Sequence, residues 1–121
     1  MSRVHAVAMD KRLIDQLPLG AQLVTPRRFY RHHGIYAGKG RVIHYRGFKD
    51  LIRRGPVEEV SFETFAGGGQ VLVTSLPADP LAGAARVERA RSRLGEDRYR
   101  LLSNNCWHFV RWCVSGTPAF S

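Results

Sequence analysis

The sequence predicts an α+β fold in which an antiparallel β-sheet packs against helices. Short β-prone runs separated by Gly and Pro extend to Leu76, whereas helical patterns with clear start and stop residues follow Asp79. Strands that come first and helices that follow are typical of this fold class. The 121 residues, 44% of them hydrophobic, suffice for one compact core. We therefore expect a single domain at 18–121, preceded by an N-terminal arm or short helix at 1–17.

The first three β-prone runs form the predicted centre of the sheet. Ala21–Thr25 is the first run, and a Pro-Arg-Arg sequence follows it. His33–Ala37 and Arg41–Tyr45 come next, joined by Gly38-Lys39-Gly40. Two β-prone runs joined by a short glycine-bearing loop predict a β-hairpin.

The middle of the chain completes the predicted sheet. Phe48–Arg54 is expected to form a turn of helix that ends at a Gly-Pro pair. Apolar residues then recur between Glu and Ser in Val57–Phe65, which predicts a strand. A run of three glycines forms the next turn, and the β-branched segment Gln70–Leu76 predicts the last strand.

Two helices close the predicted fold. Asp79 is suited to be an N-cap with Pro80 at the first helical position, and the apolar pattern continues to about Leu94 before a glycine. The Ser-Asn-Asn sequence before Cys106 offers caps for a second helix at about 105–115, which a following Gly and Pro close.

Positive charge is concentrated in one segment. The formal net charge is +9, and Arg27–Arg54 alone holds nine Lys and Arg against one acid, Asp50. One guanidinium group can donate two hydrogen bonds to a phosphate group. This segment therefore predicts peripheral contact with an anionic membrane. An Arg-rich composition inherited from a GC-rich genome is the alternative explanation.

Targeting signals are not evident in the sequence. No stretch approaches the roughly 20 apolar residues of a membrane-spanning helix. The basic N-terminus is not followed by the apolar block of a secretory signal. We therefore expect a cytoplasmic protein, peripheral at the membrane, in which both cysteines are reduced.

The two cysteines have different predicted roles. Cys106 and Cys113 lie seven residues apart, about 10.5 Å along one helix, which is too far for a disulfide. Together with Phe109 and Val110 they form one helical face that should contact the sheet. Cys113 is expected to be a core residue. Cys106 lies in the first turn, where the helix dipole should lower its pKa and suit it to be a nucleophile.

Five histidines are candidates for the base that such a nucleophile needs. His32 and His44 lie on the two strands of the predicted hairpin, which can bring them onto one face. His33 should then point to the opposite face, His5 lies in the predicted arm, and His108 should leave the helix on another side from the thiol. The spacing alone leaves the choice among them open.

Two motifs resemble a known family. The run from Phe29 to His44 (FYRHHGIYAGKGRVIH) resembles the His box of the lecithin:retinol acyltransferase-like family, which belongs to the NlpC/P60 superfamily. The run from Asn105 to Val110 (NCWHFV) resembles its Cys box, Asn-Cys-Glu-His-Phe-Val. The resemblance covers about Leu17–Ser115. It implies a circularly permuted papain-like core, with the His strands before the Cys helix.

The resemblance also implies roles for individual residues. Cys106 matches the nucleophile, His32 the general base, and His44 the residue that orients His32. The stretch that flanks the active site contains Tyr30, Arg27 and Arg28, which are expected at its rim. No cofactor and no metal are implied.

The chain departs from the family pattern at several positions. Trp107 replaces the family Glu, His33 stands where many members have Trp or Tyr, and the Pro-Gly-Asp motif has lost its Asp near Pro18. The hydrophobic C-terminal anchor of many animal members is absent, because the sequence ends at Ser121. We therefore expect a soluble bacterial member of the family.

The implied function is cysteine-dependent acyl transfer through a thioester. The resemblance implies phospholipase A or phospholipid acyltransferase activity, with a phospholipid or another acyl donor as substrate. One alternative is a cysteine amidase or peptidase of the NlpC/P60 type. A further alternative is a non-enzymatic basic module that binds nucleic acid. Against that alternative, aromatic and basic residues do not interleave as in RNA-binding motifs, so nucleic acid is not the expected partner.

Overall fold

The computed structural model describes residues 5–7, 11–27, 30–48, 54–97 and 105–117. Within these ranges the chain alternates between short strands and helices. Their bounds in chain order are β1 His5–Val7, α1 Lys11–Asp15, β2 Gln22–Pro26, β3 Arg31–Gly38, β4 Arg41–Phe48, β5 Arg54–Ser61, α2 Phe62–Ala66, β6 Val71–Ser75, α3 Pro80–Ser92 and α4 Cys106–Ser115.

All six strands belong to one sheet. Their order across the sheet is β1-β6-β2-β3-β4-β5, and every neighbouring pair is antiparallel. The predicted hairpin is confirmed as β3 and β4, and the two strands that carry its histidines precede α4 in the chain. Together with the helices this confirms the α+β prediction.

The core lies on both faces of this sheet. Side chains alternate between the faces along each strand. On one face, Ile35, Ile43 and Tyr45 pack against α3 and α4. On the other face, Leu23 and Tyr36 pack with Ile14 of α1 and with the apolar residues of α2. The sheet is therefore the middle layer of three.

The two predicted long helices are confirmed with the expected caps. The Asp79 side chain accepts a hydrogen bond from the Ala82 N–H at 2.8 Å and begins α3, which ends at Ser92 rather than Leu94. Asn105 caps α4, and Gly116 ends it with a φ of 76°. Glycine adopts this left-handed backbone conformation readily because it has no Cβ.

The predicted strand Val57–Phe65 is wrong in its second half. β5 ends at Ser61, whose hydroxyl accepts a hydrogen bond from the Thr64 N–H at 3.1 Å and caps the short helix α2. Phe62 and Phe65 are therefore three residues apart on one helical turn, with both rings buried. The sequence alternation did not reveal the serine as a cap.

The predicted turn of helix at Phe48–Arg54 is wrong at both ends. Phe48 is the last residue of β4, Arg54 is the first of β5, and the two pair across the strands. Residues 49–53 lie outside the described part of the chain.

The N-terminal segment contributes to the sheet. β1 pairs with β6 at the sheet edge, and α1 is the short helix that follows. None of the helices in the described ranges is long and apolar enough to cross a membrane.

Candidate active site

The rings of His32 and His44 meet on one face of the sheet. In the β3–β4 pairing Gly34 lies opposite His44, so His32 is the diagonal neighbour of His44 across the strands. The Nε2 atom of His32 is 2.5 Å from the Nδ1 atom of His44, and the ring planes are 84° apart. Both residues are buried, His32 at 2% exposure and His44 at 5%. The structure thus brings together the two histidines singled out from the sequence.

Phe65 of α2 covers this histidine pair. Its ring centroid is 5.4 Å from that of His32 and 5.8 Å from that of His44. Gly34 makes room for the ring, because a Cβ at this position would lie 2.7 Å from Phe65 Cε1. The short helix after β5 therefore fixes the positions of both imidazoles.

Glu58 extends the pair into a chain of three side chains. The residue lies opposite His44 in the β4–β5 pairing, and its Oε1 is 3.1 Å from His44 Nε2. The Glu58 side chain retains 31% of its exposure, whereas that of His44 retains 6%. The partly exposed Glu58 carboxylate therefore contacts the buried His44 ring from the surface of the sheet.

Burial favours the neutral form of both imidazoles. Burial lowers the pKa of His32 to about 2, and the charges of His44 and Arg27 act in the same direction. Burial also lowers the pKa of His44, although the charge and hydrogen bond of Glu58 oppose the shift. A neutral imidazole has one ring nitrogen with a free lone pair and can accept a proton.

Cys106 begins α4 beside the end of β3 that carries His32. The N–H and C=O groups of Tyr36 bond towards β2, so the backbone groups of Arg31 and His33 point to the opposite edge of the strand. Among the described residues the pairing of β3 with β4 starts only at Gly34. The Cys106 Sγ atom occupies this edge, 3.7 Å from the Arg31 carbonyl oxygen.

The thiol therefore contacts the backbone on both sides of His32. Its hydrogen-bond acceptor is the Arg31 carbonyl, and the His33 N–H points towards the sulfur from the other side. The Nε2 atom of His32 faces His44, so Nδ1 is the His32 ring nitrogen that does not contact the second imidazole. Catalytic hydrogen bonds are often long or unformed in the absence of substrate.

The expected lowering of the Cys106 pKa is wrong in direction. Burial raises the pKa of the thiol, and the backbone N–H groups of His33, Trp107 and Cys106 offset this only in part. The residue is 4% exposed, so loss of hydration outweighs the helix N-terminus. The two shifts therefore favour a protonated thiol and a neutral imidazole over an ion pair.

Asn105 and His108 fix the first turn of α4. The Asn105 side-chain oxygen accepts hydrogen bonds from the N–H groups of Trp107 at 2.9 Å and His108 at 3.1 Å. The His108 ring completes a capping box with the Asn105 backbone. This explains the histidine of the Cys box as part of the helix cap, in agreement with the structural role expected from its spacing from Cys106.

Cys113 is a core residue, as expected. It is fully buried and free, and burial raises the pKa of its thiol to about 12. Cys106 is also free, and Cys106, Phe109, Val110 and Cys113 all face the sheet. The predicted helical face is confirmed.

Two of the expected rim residues lie beside the histidines. Arg27 donates to the Phe65 carbonyl at 2.7 Å and to the Ala66 carbonyl at 3.4 Å, so it anchors the end of α2. Tyr30 is 44% exposed, and its ring stands edge-on to His32 at 6.4 Å. Arg28 lies outside the described residues.

Trp107, which replaces the family Glu, adds a second exposed aromatic side chain next to Cys106. It is 41% exposed and stacks edge-on with His108 at 5.2 Å. Tyr30 and Trp107 therefore expose aromatic surface next to His32 and Cys106, respectively. Tyr and Trp side chains are suited to the boundary between water and an apolar phase.

The charged segment divides between the two ends of the β3–β4 hairpin. Arg27 and Arg46 act electrostatically on His44, and exposed Arg31 begins β3. Lys39 and Arg41 lie at the turn of the hairpin, roughly 25 Å away along the strands. The positive charge therefore surrounds the site only in part.

The remaining histidines lie apart from the pair. His33 faces the opposite side of β3, where burial lowers its pKa to about 4. Its Nδ1 atom is buried and has no hydrogen-bond partner among the described residues. His5 lies on β1, separated from β3 by β6 and β2. In the described part of the chain no group of three His, Cys, Asp or Glu side chains could hold a metal.

Sequence reasoning did not identify Glu58, Phe65 or Gly34 as part of the site. The contact of Glu58 with His44 depends on the β4–β5 register, and the sequence between these strands does not indicate how they pair. Phe65 reaches the histidines because α2 turns the chain back onto the face of the sheet that carries them. The single available signal was the i, i+3 spacing of Phe62 and Phe65, which fits a helical turn better than a strand.

Comparison with known proteins identifies a matching family and several similar proteins. The family model described as lecithin retinol acyltransferase matches residues 15–119. Similar proteins include the lecithin retinol acyltransferases of Bos taurus, 33% identical over 82% of this chain, and of Homo sapiens, 31% identical over 82%. Human phospholipase A and acyltransferase 3 is 31% identical over 69% of the chain. The matches cover 55%, 55% and 62% of these three relatives, so the chain spans little more than half of their length.

Proposed function

Because the chain belongs to the lecithin retinol acyltransferase family, we propose that it transfers acyl groups through a thioester on Cys106. The observation that supports the proposal is a buried imidazole pair on β3 and β4, with a thiol at a helix N-terminus held against the Arg31 carbonyl, next to His32 in the chain. Thiol, base and orienting group are the three parts of a nucleophilic acyl-transfer site.

In the first half-reaction, His32 removes the proton of the Cys106 thiol as the sulfur attacks the acyl carbonyl. The S–H bond breaks, the C–S bond forms, and the proton moves to Nδ1 of His32. The backbone N–H groups of His33 and Cys106, which face the sulfur, are the donors proposed for the developing oxyanion. The tetrahedral intermediate then expels the alkoxide leaving group, which takes the proton from His32.

In the second half-reaction, the acceptor attacks the thioester. His32 takes a proton from water, an alcohol or an amine as its oxygen or nitrogen attacks the carbonyl. The C–S bond breaks, and the Cys106 sulfur recovers the proton from His32. His44 supports the His32 ring in both halves through the Nε2–Nδ1 contact.

The proposed acyl donor is an ester of a glycerophospholipid. The names of the relatives, which include a lecithin acyltransferase and a phospholipase A, favour this class of substrate. The exposed rings of Tyr30, beside His32, and of Trp107, the residue after Cys106, suit a lipid surface. Exposed Arg31, at the same end of β3, would attract anionic head groups, at about 1 kcal/mol for one basic residue.

The test is fatty-acid release from phosphatidylcholine vesicles, with and without phosphatidylglycerol. Wild type and Cys113→Ala should both release fatty acid, whereas Cys106→Ala should be inactive. Cys113→Ala is the matched control because it removes the other buried thiol, which packs in the core. Release that is the same in wild type and Cys106→Ala would contradict the proposal.

The two alternatives give different results in matched assays. A cysteine amidase would cleave peptide or isopeptide substrates in a Cys106-dependent manner and leave the phospholipid esters intact. A nucleic-acid-binding module would shift a nucleic-acid probe in a salt-dependent manner in both wild type and Cys106→Ala, without any ester cleavage. Either result would replace the phospholipid proposal.

A further inference from the structure

Glu58 lies where the chain of imidazoles reaches the surface of the sheet. Its Oε1 atom is 3.1 Å from His44 Nε2, and the two residues face each other across β4 and β5. An ionised carboxylate can only accept hydrogen bonds. The hydrogen of this contact must therefore come from His44 Nε2.

The direction of this hydrogen bond determines which nitrogen carries the proton on each of the two imidazole rings. A neutral His44 that carries its proton on Nε2 has a bare Nδ1, which can only accept. The contact between His44 Nδ1 and His32 Nε2 then requires the hydrogen on His32 Nε2. A neutral His32 in this tautomer has its lone pair on Nδ1, the nitrogen that accepts the Cys106 proton in the proposed mechanism.

The opposite arrangement would disable the base. Without the carboxylate, His44 could carry its proton on Nδ1 and donate to His32 Nε2. His32 would then hold its own proton on Nδ1 and could not accept one from the thiol. An acceptor on His44 Nε2 is what selects between the two tautomer pairs.

The charge of Glu58 acts in the same sense. When His32 takes up the thiol proton it becomes a buried cation, and the positive charge of Arg27 opposes this protonation. The charged groups that act on His44 are Glu58 from β5, Arg46 from β4 and Arg27 after β2. Glu58 supplies the negative charge among them.

We propose that Glu58 is a positioning residue that fixes the tautomers of His44 and His32 and balances the imidazolium formed during acyl transfer. The effect of Glu58 on catalysis rests on the proposed function, whereas the tautomers of His44 and His32 are a property of the resting protein.

Glu59 provides a matched control on the same strand. It lies on the opposite face of β5, where its carboxylate pairs with Arg91 at 2.5 Å and Arg41 at 3.5 Å. Glu59→Gln therefore removes an adjacent carboxylate without touching the histidines. Glu58→Ala removes both acceptor and charge, Glu58→Gln keeps an acceptor oxygen but loses the charge, and Glu58→Asp keeps the charge on a shorter side chain.

The first measurement is the ring nitrogen spectrum of full-length protein by long-range ¹H–¹⁵N NMR. Wild type and Glu59→Gln should both show His32 and His44 protonated on Nε2 and bare on Nδ1. Glu58→Ala should shift intensity to the Nδ1-protonated form of both rings. Unchanged tautomers in Glu58→Ala would overturn the inference whether or not the protein transfers acyl groups.

The second measurement is steady-state phospholipid cleavage by the same variants. We expect Glu58→Ala to lower kcat about 10- to 100-fold, by analogy with the hydrogen-bond partners of metal-ligating histidines, and to leave KM nearly unchanged. Glu58→Gln and Glu58→Asp should fall between Glu58→Ala and wild type, and Glu59→Gln should match wild type. Equal kcat in Glu58→Ala and Glu59→Gln, with wild type active, would refute the role while leaving the proposed function intact.

Discussion

Cys106 is more deeply buried than a preformed thiolate would be. The sulfur contacts the Arg31 carbonyl, and three backbone N–H groups reach it, yet burial still raises the pKa of the thiol. A neutral thiol and a neutral imidazole avoid burying an ion pair in the resting protein. In the proposed mechanism the proton moves only when a substrate carbonyl is available, which would protect the thiol from side reactions.

The reactivity of Cys106 towards a simple alkylating agent should reflect this burial. In Cys113→Ala, whose only thiol is Cys106, the rate of iodoacetamide alkylation should rise with pH beyond 9 without a plateau near neutrality. The physical reason is that only the thiolate reacts and its population is small below the raised pKa. The measurement is the loss of free thiol by mass spectrometry at a series of pH values.

A plateau below pH 8 would contradict this expectation. If that plateau moved to higher pH in His32→Ala, the resting site would contain a thiolate–imidazolium pair. Unfolded Cys113→Ala in denaturant is the control, because it reports the alkylation rate of the same thiol without burial.

Two short elements determine whether the site is assembled. α4 presents Cys106 through the cap formed by Asn105, and α2 holds Phe65 over the histidines. α4 was predictable because its caps and apolar face are local patterns. α2 was not, because Ser61 ends a strand and caps a helix within a single alternating sequence.

The same contrast separates the predictable and unpredictable parts of the site. His32 and His44 could be paired because a glycine-bearing loop of three residues defines their hairpin. The partner of His44 on β5 could not be predicted, since the connection at 49–53 leaves the register unspecified. Register decides which side chain lies opposite which, and a slip of one residue would exchange Glu58 for Glu59.

The cap of α4 should matter for both stability and activity. Asn105→Ala removes the acceptor for two N–H groups in the turn that carries Cys106. We expect a loss of about 0.5–2 kcal/mol in unfolding free energy, together with a fall in kcat as the first turn loosens. Urea unfolding and phospholipid cleavage measure the two effects.

Asp79→Ala is the matched control for this prediction. It removes the corresponding cap of α3, where the Asp79 side chain accepts from the Ala82 N–H. The expected loss of stability is similar, with activity close to that of wild type. If both variants lost activity equally, the effect of Asn105 would be one of general stability.

Burial of neutral histidines makes the unfolding free energy of the whole protein depend on pH. The pKa of His32 is lowered to about 2 and that of His33 to about 4, both by burial. Between these values and the unfolded value near 6.5, the unfolded chain binds more protons than the folded protein. Acidification therefore favours unfolding, and the stability present above pH 6.5 is lost as pH falls.

The unfolding free energy should accordingly be lower at pH 5 than at pH 7. Each of these two histidines should contribute roughly 1–2 kcal/mol to the difference, at about 1.4 kcal/mol per pH unit for full titration. Urea titrations at the two pH values measure it, and His33→Gln should reduce the difference without removing His32. A free energy that stays constant from pH 7 to pH 5 would show that these imidazoles are not buried in neutral form.

In the proposed mechanism Cys106 carries the acyl group. The most direct measurement is peptide mass analysis after brief incubation of the protein with phosphatidylcholine vesicles. We expect one acyl chain, removable by hydroxylamine, on the peptide that contains Cys106 in wild type and in Cys113→Ala. Fatty-acid release with no such adduct, or an adduct that persists in Cys106→Ala, would contradict it.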